Sequence, residues 1–193
     1  MTRSTIAHLG RGWQSARRLT VVAGLLGLAV TAWAGAAPDA FRALALIKPA
    51  HPRAAPVFSV STPGGPSIRL SDYRGNVVFL NFWATWCPPC REEMPAMERL
   101  YRRYKDRGLV VLAVSVDAEG AAVVTPFVAE QQLSYPIGLD PKMAVAGTYG
   151  VRGLPSSFFV DQQGRLVASA VGPREWDSKD ADALVESLLR RTR

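Results

Sequence analysis

An α/β fold is expected for this chain: a mixed central β-sheet with helices on both faces, behind a separate N-terminal hydrophobic segment. Three observations lead there. Between Val57 and Arg193, apolar runs of strand length alternate with stretches whose apolar residues recur every three or four positions. One of these runs, Val77-Val78-Phe79-Leu80-Asn81-Phe82-Trp83, leads into Trp86-Cys87-Pro88-Pro89-Cys90 and then into a helical pattern. The last third carries a hairpin signal, Asp161-Gln162-Gln163-Gly164, followed by an amphipathic stretch, so the sheet must also hold antiparallel strands. The residues from Val57 onward suit one domain with one core.

The elements follow in order. Short strands near Val57–Val60 and Ser67–Leu70 flank the turn Thr62-Pro63-Gly64-Gly65-Pro66. Asn76–Phe82 reads as a buried strand. A helix follows the cysteines, with Met97, Leu100, Tyr101 and Tyr104 at helical spacing, and ends near Gly108. Pro95 lies inside it and is expected to kink it. Leu109–Val116 is nearly continuous in apolar residues, as a central parallel strand should be. A helix is expected near Ala121–Gln132, starting late because Pro126 suits only a first turn. Then come a strand at Tyr135–Leu139, a short helix at Pro141–Tyr149, the hairpin Ser157–Val160 with Leu166–Val171, and a closing helix over Asp177–Arg191.

The N-terminal region differs from the rest. Residues 1–18 carry Arg3, Arg11, Arg17 and Arg18 and no acidic residue, and Leu19–Ala37 has no charged side chain. Those 19 residues would span about 28 Å as a helix, close to a hydrocarbon core of ~30 Å. Residues 1–37 are therefore read as a signal anchor, with a cleaved signal peptide ending at Ala32-Trp33-Ala34 as the alternative. Either reading puts the rest of the chain outside the cytoplasm, in the cell envelope or periplasm. Residues 38–54, with Pro38, Pro49 and Pro52, read as a poorly ordered linker, with one or two interfacial turns over Phe41–Ile47 as the alternative, and 55–193 as the folded domain.

Charge narrows the function classes. Of the net charge of +7, residues 1–54 hold seven basic and one acidic side chain, whereas 55–193 hold 16 basic and 15 acidic ones. A nucleic-acid binder needs a basic face on its folded domain. The best candidate, Arg99, Arg102, Arg103, Lys105 and Arg107, has the spacing of a solvated helix face. No nucleic-acid partner is expected.

Cys87 and Cys90 are the only cysteines. A disulfide closing so short a loop contributes only about 2 kcal/mol, which makes it a weak staple. A structural zinc site usually needs four Cys or His ligands, and the only histidines, His8 and His51, lie in the upstream tail. No metal and no cofactor are expected. Redox chemistry remains. With Cys87 at a helix N-cap, Pro88 and Pro89 fill positions that lack intrahelical donors in any case. The Cys87 sulfur then faces the Cys90 N–H and the positive end of the helix dipole. Its pKa is expected below the free value of ~8.5, within ~3.5–7.5. Cys87 is the expected nucleophile and Cys90 the resolving thiol.

The stretch Asn81-Phe82-Trp83-Ala84-Thr85-Trp86-Cys87-Pro88-Pro89-Cys90-Arg91-Glu92-Glu93-Met94-Pro95 resembles the thioredoxin superfamily, and within it the membrane-anchored or exported TlpA/ResA/CcmG group, related to the AhpC/TSA redoxins. The resemblance runs from about Pro56 to the C-terminus, through Leu70-Ser71-Asp72-Tyr73-Arg74-Gly75-Asn76, Gly153-Leu154-Pro155-Ser156-Ser157-Phe158 and Gly172. It implies a thioredoxin-like fold, a cis peptide bond before Pro155, and a backbone near Leu154 that pairs with a substrate peptide. Thioredoxins carry a buried Asp where this chain has Asn81, which cannot act as a base. The group instead places a Glu three residues after the second cysteine, here Glu93. Positions 90 and 93 share a helix face, so Glu93 would accept a proton from Cys90; the alternative is an acid favoured by the helix N-terminus. Trp86 would either shield the pair and contact substrate or pack beside the site.

The expectation is an exported thiol–disulfide oxidoreductase acting on protein disulfides or thiols. By resemblance its role is reductive, on an apocytochrome c or a copper-site protein, with a membrane electron donor restoring the dithiol. The motif does not fix direction, so an oxidase or isomerase is an alternative. A non-enzymatic copper-handling protein using both thiols is another.

Overall fold

The computed structural model describes residues 39–190. The hydrophobic segment expected over 1–37 lies outside the described residues, as does Arg191 at the end of the closing helix. No helix among the described residues is long and apolar enough to cross a membrane.

The chain starts with α1 (Ala40–Ala43) and β1 (Arg53–Ala54), then the hairpin of β2 (Ser59–Ser61) and β3 (Ser67–Arg69). After a 3-10 turn come β4 (Val77–Trp83), α2 (Pro88–Tyr104), β5 (Leu109–Ser115), α3 (Ala121–Glu130) and β6 (Ile137–Leu139). The last elements are α4 (Ala144–Thr148), β7 (Ser156–Val160), β8 (Arg165–Val171) and α5 (Lys179–Arg190). Eight strands form one sheet, in the order β1-β8-β7-β4-β5-β6-β2-β3. β4 and β6 run parallel to β5, while β7 runs antiparallel to β4 and to β8. This is the mixed sheet of a thioredoxin-like fold.

The two central strands are apolar along their whole length because both of their faces are covered. Every residue of β4 is buried, and β5 is buried except for a half-buried Val110. Beneath β4, the rings of Phe79 and Phe159 stack with centroids 4.8 Å apart, and Trp176 packs on Phe79 at 4.6 Å. Where β6 passes β2 there is no room for a side chain: a Cβ on Gly138 would lie 2.6 Å from Val60 Cγ2. The chain leaves α2 through Gly108, at φ 99°, a conformation that glycine adopts without a Cβ penalty.

Two local expectations meet a different outcome. Part of the segment read as a linker is folded: Asp39 caps α1 by accepting the Phe41 N–H, and Phe41 and Leu44 are buried. The apolar face Phe41-Leu44 packs on α5, and Ile47 pairs with Ser169 of β8. Arg53 and Ala54 add β1 to the sheet edge. Burial of two large apolar side chains, at about 1.5–3 kcal/mol each, outweighs the proline content. The helix at Ala121 does not start late; α3 begins there and carries Pro126 inside it. Ala122 and Pro126 both lie on the exposed face, where solvent can reach the carbonyl that the proline leaves without its backbone donor. Pro95 likewise lies inside its helix, α2, with its side chain exposed.

Three arginines of the basic helix face and the turn after it are ion-paired while remaining partly exposed. Arg99 pairs with Asp177 at 2.8 Å, Arg103 with Asp182, and Arg107 with Glu186 at 3.6 Å. These contacts join α2 and the turn after it to α5 and its preceding turn.

Candidate active site

Strand register places the site. β4 ends at Trp83, four residues before Cys87, and Ser156 at the start of β7 pairs with Phe82 near that end. The residues preceding Ser156 therefore reach the same edge of the sheet as the cysteines. Leu154–Pro155 is a cis peptide bond, and Gly172 N–H donates to the Pro155 carbonyl at 2.8 Å. The loop from Ala84 to Trp86 is held from below by Asp117. Its carboxylate accepts from the Thr85 N–H at 3.0 Å, the Thr85 hydroxyl at 2.6 Å and the Ser115 hydroxyl at 2.7 Å.

Cys87 is the N-cap of α2, with extended backbone, and its Sγ accepts the Cys90 N–H at 3.3 Å. Pro88 and Pro89 occupy the first helical positions. Cys87 and Cys90 are joined as a disulfide with Cα atoms 5.3 Å apart. Cys87 lines a largely apolar groove of about 450 Å³ together with Trp86, Met143, Arg152 and Leu154, whereas Cys90 is fully buried. Trp86 is 66% exposed, so packing into the core does not account for it.

Glu93 is buried, one turn inside α2. Its Oε2 accepts from Trp176 Nε1 at 2.8 Å and from the Arg174 N–H at 3.2 Å. Its Oε1 accepts from Asn81 Nδ2 at 2.9 Å, and that same amide group donates to Ser157 Oγ at 3.0 Å. Burial pushes the Glu93 carboxyl up to about 7, only partly offset by the Trp176, Arg174 and Asn81 hydrogen bonds and the Arg174 charge. An acid that titrates near neutrality can exchange a proton with a thiol at working pH. An acid merely favoured by the helix dipole would sit in water with an ordinary pKa.

The sequence missed three parts of this arrangement. Asn81 cannot be a base, yet it is the donor that fixes Glu93. Trp176 and Arg174 reach Glu93 from 83 and 81 positions away, and nothing in Pro173-Arg174-Glu175-Trp176 signals that. Asp117, just past β5, had a weak signal: an acid ending an otherwise apolar strand.

A thioredoxin-like sheet with a cysteine pair at a helix N-terminus, facing a cis-proline loop, defines a protein-disulfide oxidoreductase. Comparisons with known proteins agree. The thiol-disulfide oxidoreductase ResA of Bacillus thuringiensis (strain Al Hakam) is 43% identical over 118 residues, 61% of this chain and 68% of that protein. A thioredoxin-family thiol:disulfide interchange protein of Chlorobium tepidum superposes with a TM-score of 0.64 at 32% identity, over 73% of this chain and 99% of that one. A secreted thiol-disulfide isomerase of Corynebacterium glutamicum gives 0.66 at 28% identity, over 75% and 92%. Residues 52–169 match the AhpC/TSA family, and the chain belongs to it.

Proposed function

We propose that this oxidoreductase is a reductant of protein disulfides outside the cytoplasm, held at the membrane by residues 1–37. The observation that supports Cys87 as the attacking sulfur is the asymmetry of the pair: Cys87, 4% exposed, lines an apolar groove while Cys90 has no exposure; the reductive direction is the one that the resemblance to the TlpA/ResA/CcmG group implies. In the dithiol form, the Cys87 thiolate attacks one sulfur of a substrate disulfide. One substrate thiolate leaves and takes a proton from water, and a mixed disulfide forms. Cys90 passes its proton to Glu93 and attacks Cys87 Sγ. The second substrate thiolate leaves, and the Cys87–Cys90 disulfide described above is the oxidised product. A dithiol donor in the membrane then returns two electrons. Trp86 and Leu154 border the attacking sulfur and supply contact with the substrate peptide, with Pro155 shaping that loop. The substrate would be an apocytochrome c or a copper-site protein with cysteines to be kept reduced.

Cys87→Ser should abolish reduction of insulin disulfides while the domain stays folded; activity equal to the wild type would overturn the assignment. The likeness to a secreted thiol-disulfide isomerase supports a second reading, in which net flow is oxidising or isomerising. The reduction potential separates the two: about −270 mV supports a reductant, about −120 mV an oxidant.

A further inference from the structure

A second pocket adjoins the first turns of α2, and it shares no lining residue with the groove at Cys87. It holds about 440 Å³. Ala43 and Leu44 at the end of α1 form one wall, Arg174 and Asp180 another, and Glu92 and Glu93 the wall on α2. Glu93 is part of that lining and is only 3% exposed, so it meets this space from the buried side, next to the Arg174 N–H that its carboxylate accepts. Its other neighbours leave no such opening. Asn81 of β4, backed by Ser157 of β7, closes one side, and Trp176 closes another; all three are fully buried. Tyr135, ahead of β6, also faces Glu93 electrostatically and is buried. Cys90, on the helix face shared with Glu93, is fully buried as well.

The pocket has a defined lid. The Arg174 guanidinium donates to the Leu44 carbonyl at 2.7 Å, while the Arg174 backbone N–H donates to Glu93. The same residue therefore holds the end of α1 and the buried acid. The rim carries Glu92, Glu175 and Asp180, a negative surround that concentrates protons and other cations. The guanidinium itself is turned toward carbonyl oxygens of Leu44, Gly172 and Pro173.

We propose that this pocket is the proton port of Glu93, through which the carboxyl exchanges its proton with water while a substrate covers the groove at Cys87. The proposal rests on Glu93 as proton acceptor for Cys90. That step deposits a proton on a buried carboxyl at the moment when the bound peptide shields the disulfide side. In the oxidised protein that proton exchanges with solvent until the disulfide is reduced again and Cys90 needs a proton, and the α1 wall borders the route. α1 and Arg174 are thus positioning elements for the reaction, placed away from the substrate.

The test is a 13C NMR titration of the Glu93 side-chain carboxyl in the full-length oxidised protein. Ala43 is exposed, so Ala43→Phe adds bulk to the wall at little risk to folding. Displacing water from the carboxyl should raise its midpoint by about one pH unit, a tenfold tighter hold on the proton. Leu44→Ala widens the pocket and should lower the midpoint. Met143→Phe, in the groove, should leave it unchanged. Unchanged titration in both pocket variants, or an equal shift in the groove variant, overturns the port. The pH profile of peptide-disulfide reduction separates the two levels of the argument. If Glu93→Gln keeps the wild-type profile, the proton-acceptor reading falls and the port with it. If Glu93→Gln loses the step near neutrality but the pocket variants titrate like the wild type, the port alone falls.

Discussion

Replacing Glu93 with Gln should change how stability depends on pH, in a direction fixed by burial. The Glu93 carboxyl is held up at about 7 against an ordinary value of 4.5. The folded protein therefore binds this proton more tightly than the unfolded chain does. Its contribution is complete below about pH 4.5 and is lost as pH rises through about 7. At about 1.36 kcal/mol per pH unit, the whole loss is about 3 kcal/mol, of which about 2 kcal/mol falls between about pH 5 and about pH 8. Gln carries no charge and escapes this loss. Its carbonyl oxygen can still accept from Trp176 and the Arg174 N–H. Its NH2 then meets Asn81, whose Oδ1 has no hydrogen-bond partner and is presented to that NH2 when the Asn81 amide turns over. Urea unfolding of both oxidised proteins, followed by tryptophan fluorescence, measures the difference, and titrations common to both proteins cancel. The stability of wild type minus variant should fall by about 2 kcal/mol between about pH 5 and about pH 8. A difference constant to within about 0.5 kcal/mol over that range would refute the account of Glu93 as a buried acid poised near neutrality.

Other expectations are more local. Trp176→Phe removes a donor that favours ionised Glu93, so the Glu93 midpoint should rise further and stability should drop by about 1–3 kcal/mol; the carboxyl titration and a urea curve report both. Gly138→Ala drives a Cβ to 2.6 Å from Val60 Cγ2 and should cost about 1–3 kcal/mol by overpacking, read as a lower Tm. Trp86→Ala should leave stability within about 0.5 kcal/mol because the ring is exposed, while KM for a peptide disulfide rises several-fold. A loss of stability above about 2 kcal/mol would make Trp86 a packing residue instead.

Sequence reasoning reached the frame of the molecule where local pattern and burial agree. β4 and β5 are continuous apolar runs because they are covered on both faces, and the cap at Cys87 is signalled by two consecutive prolines, which suit the first turn of a helix. It failed where distant parts of the chain meet. Asn81 read as a missing base because its partners, Glu93 and Ser157, lie 12 and 76 positions away. Trp176 read as nothing in particular, since a lone Trp before a helix has no local signature. α1 was lost among prolines because four residues cannot form a helix on propensity alone; its stability comes from α5, which the chain reaches well over a hundred residues later. Pro126 misled in the other direction, since its cost depends on whether water can reach the freed carbonyl.

The ion pairs between α2 and the α5 region bear on encounter kinetics. With Arg99, Arg103 and Arg107 matched to Asp177, Asp182 and Glu186, and with 16 basic against 15 acidic residues over 55–193, little field extends past a Debye length of ~8 Å. Substrates are then collected by unsteered diffusion, at about 10⁵–10⁶ M⁻¹s⁻¹, with weak dependence on ionic strength. On the proposed function, selection among them would fall to the short-range fit of the apolar groove around Cys87.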